Sequence, residues 1–84
     1  MDLISIAGDN IRGFRNKLGV SQEKLAEYAD LHRTYIGSVE RGEYNLTLST
    51  LQRIAKALKV HPLHLLIEGA YKKSPEELKK AISL

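Results

Sequence analysis

Cysteine is absent from the 84 residues. That excludes disulfides and thiolate metal sites and removes any sign of an oxidising compartment. No uninterrupted apolar run is long enough to span a bilayer. Met1 to Ile6 carries Asp2 where a secretory leader would carry a basic segment, so no signal peptide is expected. The expectation is a soluble, cytoplasmic protein with no membrane partner. Strand-like alternation, internal repeats and low-complexity segments are also missing. Charge of one sign is scarce: 13 basic against 10 acidic side chains leave +3. That excess permits a polyanionic partner without pointing to one. What is present is a 43% hydrophobic fraction, enough for one globular core. A chain this short buries little and often leans on a partner subunit.

Apolar residues recur at helical spacing. Ala7, Ile11, Phe14 and Leu18 make a first stripe, extended by Leu3 and Ile4, and Gly19 stops it. Gly8 and Gly13 lie inside, each costing about 1 kcal/mol against alanine. Ser21 is a good N-cap for a second helix, with Glu23 in its first turn and Leu25, Ala26 and Ala29 facing inward. It ends near Asp30. A third helix starts after His32, points Ile36 and Val39 inward and ends at Gly42. After a polar loop, Thr47 caps a fourth helix striped by Leu48, Leu51, Ile54, Ala55 and Leu58.

His61-Pro62 predicts a fifth helix running to about Glu68 and stopped by Gly69, with His61 at its N-cap. Ala70 to Lys73 is the one plausible hinge. Ser74-Pro75-Glu76-Glu77 reads as a capping box opening a short last helix with Leu78, Ala81 and Ile82 on one face. Residues 1–69 then form the main domain. Residues 70–84 add a hinge and helix belonging to the same domain or to a dimer interface.

The informative stretch is Ser21 to Gly42, SQEKLAEYADLHRTYIGSVERG. Two short helices meet at a tight turn, Asp30-Leu31. Ala26 sits where they cross, and Leu31 and Ile36 lock the pair to the core. Such a pair lets its second helix protrude into a major groove. Gln22, Leu25-Ala26, Ile36 and Glu40-Arg41-Gly42 resemble the Xre-type, phage-repressor-like helix-turn-helix family over roughly Ile11 to Leu66. The run LHRTYIGSVERG, followed by Asn45 and TLSTLQRIAKALKV, resembles the controller proteins of bacterial restriction-modification systems. The resemblance implies an all-α fold: a compact, lambda-repressor-like bundle of five helices with a short extra C-terminal helix.

It also implies roles. Arg33, Thr34, Tyr35 and Ser38 become the base-contacting residues. Arg33 suits a bidentate pair with guanine, and Thr34 a hydroxyl or methyl contact. Gly37 would let the third helix approach the groove closely. Gln22, Arg41, Tyr44, Asn45 and Thr47 become phosphate contacts, helped by the N-termini of the second and fourth helices. Glu40 pairs with Arg15 in a largely buried bridge. Glu23 and Glu27 form an acidic face that, in activators of this fold, touches the sigma subunit of RNA polymerase. Two departures stand out. Asp30 occupies a turn position where the family usually has glycine, and Glu43 one where a basic residue is frequent.

Leu63 and Ile67 exceed what the fifth helix needs for the core and mark a homodimer interface. His61 and His64 stand three apart without a third ligand, so no metal or other cofactor is expected. No nucleophile–base constellation or phosphate-cradling loop suggests an enzyme. The function implied is a sequence-specific, nucleoid-associated transcriptional regulator on double-stranded operator DNA. As a controller protein, a dimer on its own promoter would first activate and then, at a weaker adjacent site, repress. The alternatives are a stand-alone Xre-type repressor, of prophage or antitoxin type, and an interaction module that has lost DNA binding.

Overall fold

Helix starts and stops in this chain are set by local chemistry. The computed structural model describes residues 2–43 and 45–82. Helix α1, Leu3–Leu18, opens on Asp2, whose carboxylate accepts from the Ile4 and Ser5 backbone N–H groups. Gly19 closes it at φ +77°. Helix α2, Gln22–Ala29, is capped by the Ser21 hydroxyl. Helix α3, Arg33–Glu40, is capped by the His32 ring, whose Nδ1 accepts from the Thr34 N–H at 3.1 Å. Thr47 caps α4, Leu48–Leu58, through the Thr50 N–H. Helix α5, Pro75–Ala81, carries the full capping box of Ser74 and Glu77. No strand occurs among the described residues.

The segment expected as a fifth helix is shorter and tighter. Pro62–Leu66 forms a 3₁₀ helix, with His61 Nδ1 accepting from the Leu63 N–H. The physical reason lies on α1. Asn10 is fully buried, and its Nδ2 donates to the Leu65 and Ile67 carbonyls at 3.0 and 2.7 Å, with His64 O at 3.5 Å. The amide pins these carbonyls to α1, while the His64 and Ile67 carbonyls also accept from the Ile67 and Ala70 N–H groups in i→i+3 turns. The stretch expected as a hinge is also structured: Ala70–Lys72 is a second 3₁₀ turn, and Ala70 is fully buried.

The core joins Ile11 and Phe14 of α1, Leu25 of α2, Ile36 and Val39 of α3, and Leu51, Ile54 and Leu58 of α4. Leu65 and Leu78 close it from the C-terminal side. Both glycines inside α1 are packing sites. A Cβ on Gly8 would sit 2.3 Å from the Val39 carbonyl, so α3 can approach α1 only over a bare backbone. A Cβ on Gly13 would meet the Tyr71 ring at 2.1 Å. Among the described residues no helix is long and apolar enough to cross a membrane.

Candidate nucleic-acid interface

The turn between α2 and α3 is left-handed at Asp30, φ 56°. Aspartate tolerates that conformation better than most non-glycine residues. Its backbone is also held from outside: Arg53 of α4 donates from Nε to the Ala29 carbonyl at 3.1 Å and through a second nitrogen to the Asp30 carbonyl. Sequence reasoning missed Arg53, because nothing local marks an arginine that serves a turn more than twenty residues earlier.

Glu40, at the end of α3, is the electrostatic centre of the motif. Its side chain is only 1% exposed. Arg15 of α1 donates bidentately, Nε to Oε2 at 2.6 Å and a terminal nitrogen to Oε1 at 3.0 Å. Arg15 also donates to the Val20 carbonyl at 2.9 Å. Gln22 of α2 donates from Nε2 to Glu40 Oε1 at 3.0 Å. Arg12, which the sequence did not single out, donates to the Glu40 carbonyl at 2.9 Å. One buried carboxylate therefore ties three helices together.

The outer face of α3 is arranged in two tiers. Arg33 and Thr34, at its start, are exposed. The Arg33 guanidinium is 70% exposed and lies 3.6 Å from Glu23 of α2. With Gln22, Glu23 and Arg41 they line a polar depression of about 240 Å³. Tyr35 is half-buried and packs against the core. Ser38, expected on the exposed face, is instead buried at 8%, and its hydroxyl accepts from Arg41 at 3.3 Å. Gly37 is buried as well. Its bare face is crossed by Arg41 and Gln22, which a Cβ there would approach to 3.2 and 3.5 Å. The glycine makes room for those side chains, which lie where a close groove approach was expected.

Arg41 also pairs with Glu43 at 3.1 Å, and that hydrogen bond raises the guanidinium pKa further. Asn45 and Thr47 are exposed beside the start of α4. Tyr44 lies outside the described residues. Glu27 pairs with Lys24 at 3.5 Å. Leu63 stands 49% exposed, whereas Ile67, expected as surplus, is half-buried and packed on the core. Of the last helix's predicted face, only Leu78 is buried. His61 and His64 have ring centroids 5.6 Å apart, and no cluster of metal-ligating side chains occurs among the described residues.

The structure thus presents a short helix with two exposed polar residues at its start, braced from behind by a buried ion pair. The helix-turn-helix family profile matches residues 11–65. Control protein C.SmaI of Serratia marcescens is 53% identical over 72 residues, spanning 86% of each chain. The solved structure of the restriction-modification controller protein C.AhdI from Aeromonas hydrophila superposes with a TM-score of 0.72 at 39% identity, covering 74% of this chain and 94% of that one. The hypothetical transcription factor NHTF from Neisseria gives a TM-score of 0.79 at 38% identity, covering 96% of this chain and 86% of that one. This chain belongs to the Xre-type helix-turn-helix family and is similar to the controller proteins within it.

Proposed function

We propose that this protein is the controller of a restriction-modification operon, acting as a homodimer on operator DNA at its own promoter. Membership of the family makes it a DNA-binding transcriptional regulator and not an enzyme. The observation that carries the finer reading is the bracing of α3: Glu40, tied to Arg15 and Gln22, fixes the helix while Arg33 and Thr34 stay exposed at its start. Arg33 reads a guanine and Thr34 an adjacent base. Tyr35 adds a neighbouring base or phosphate contact, and Ser38 a base contact once Arg41 swings to a phosphate. Gln22, Tyr44, Asn45 and Thr47 hold the backbone on either side.

Leu63 supplies the exposed apolar surface of the dimer, with Ile67 beneath it. A two-fold pair would set two copies of α3 about 34–36 Å apart, one turn of DNA. Glu23 and Glu27 form the acidic surface offered to RNA polymerase at the activating site. On this reading the protein would be nucleoid-associated.

Footprinting on the DNA upstream of the chain's own gene tests the proposal. Two adjacent protected sites, filled one after the other as protein is added, are expected. Protection at an unrelated genomic site alone would replace the reading with a stand-alone repressor. Absence of protection anywhere would leave an interaction module.

A further inference from the structure

Behind the helix-turn-helix, the ends of α1, α2 and α4 line a cavity of about 750 Å³ that is open to solvent on one side. Ligand sites for small molecules typically measure about 300–1,000 Å³. Its walls include Leu18, Val20 and Ala57, with the Tyr28 ring at one side. Leu18 and Tyr28 are among the chain's exposed large hydrophobic side chains, so this wall is left wet. The rim is basic: Arg53, Lys56 and Lys59 face it, and Asp30 is its one acid. Asp30 is within 3.7 Å of Arg53, while Lys56 and Lys59 have no ion-pair partner among the described residues. An apolar floor under two unpaired ammonium groups suits a body without charge and a head with one negative charge.

Arg53 belongs to this cavity and to the turn at once. Its guanidinium donates to the Ala29 and Asp30 carbonyls, holding the left-handed Asp30 just three residues before Arg33. A carboxylate or sulfonate in the cavity would compete for this guanidinium with the Asp30 carboxylate, 3.7 Å away, and with the two carbonyls. We infer that the cavity is an effector site for a small amphipathic monoanion, a hydrocarbon or aromatic body with one acidic head. Its occupation draws Arg53 off the turn and weakens operator binding. The regulatory half rests on the DNA-binding reading above; the binding half does not.

The test uses the full chain and anilinonaphthalene sulfonate, a fluorescent anion of that shape, first without DNA. One saturable site is expected, weakened about 5-fold or more by Lys56→Glu and by Lys59→Gly. Lys59 has φ +63°, where glycine is unstrained, so the second variant keeps its fold even if the first does not. Circular dichroism checks both. Binding that fails to saturate, or that ignores both substitutions, overturns the site. In the second stage, saturating probe should raise the operator Kd about 5-fold or more, and operator should expel the probe by the same factor. Unchanged operator affinity overturns the coupling. Charge-dependent probe binding by a chain that selects no DNA would uphold the site and sink the DNA-binding reading instead.

Discussion

Replacing Arg15 by alanine should unfold this protein far more readily while leaving its choice of DNA intact. The Arg15 side chain is 13% exposed and its partner Glu40 1%. The variant loses both charge-assisted bonds to Glu40 and the bond to the Val20 carbonyl. Breaking a buried ion pair by removing one partner costs about 3–5 kcal/mol, because the remaining charge is stranded. Two neighbours soften the loss. Gln22 still donates to Glu40, and the half-exposed Arg12 lies 4.0 Å from the same carboxylate. The lower end, about 3 kcal/mol, is therefore the working value. For a domain of this size that corresponds to a drop in Tm of more than about 10 °C. Thermal melts followed by circular dichroism measure it. Operator variants ranked well below the new midpoint should keep the parent order. A Tm within about 2 °C of the parent would refute the reasoning, since it would mean Glu40 is solvated or neutralised without Arg15.

Gly8→Ala should destabilise the fold by about 1–3 kcal/mol, although alanine is the better helix former, because its methyl meets the Val39 carbonyl; a urea melt decides the sign. Leu63→Glu should yield a folded monomer that binds a half-site normally and a full operator about 10²–10⁴-fold less well. Sedimentation with titrations on both DNAs checks it, and a variant that stays dimeric moves the interface elsewhere. Stability should fall as pH drops below the ordinary histidine value of 6.5, because burial, reinforced by His61, holds the His64 pKa down. With the folded value depressed, the unfolded chain binds more protons in that window, so the contribution of His64 is complete above it and lost on acidification. His64→Gln should flatten the dependence, and a parent Tm equal at pH 7.5 and 5.5 would contradict it.

The helix starts after the first were legible because they are local. Ser21, Thr47, His61 and Ser74 bond within three residues of themselves, and their spacing to the following residues announces it. The Arg15–Glu40 pair was reachable only through family resemblance, since 25 residues separate its members. What composition and periodicity hid were contacts made by residues that look wrong locally. Gly8 and Gly13 read as weak points in a helix and are the places where α3 and Tyr71 come closest. Asn10 interrupts an apolar stripe, and it ties the segment expected as a fifth helix to α1 through carbonyls 55 and 57 positions away. Ser38 misled because an eight-residue helix packed on α1 and α2 exposes a narrower face than periodicity alone suggests. In the candidate interface, the exposed start of α3 was foreseen, while the Arg53 clamp behind the turn carried no sequence signal.

The central claim is that α3 reads DNA through Arg33. The pairing with Glu23 is solvent-exposed, so releasing the guanidinium into a groove costs little, about 1 kcal/mol or less. Selection of bound sites from random double-stranded DNA, run in parallel on the wild-type protein and Arg33→Ala, tests the claim most directly. The wild type should enrich a two-fold-symmetric site whose half-sites lie one helical turn apart, with a guanine fixed in each half. The variant should keep the symmetry and spacing but lose that guanine, a discrimination worth about 1–3 kcal/mol. A wild-type protein that enriches no symmetric sequence, or an Arg33→Ala protein that enriches the same guanine as strongly, would contradict the account.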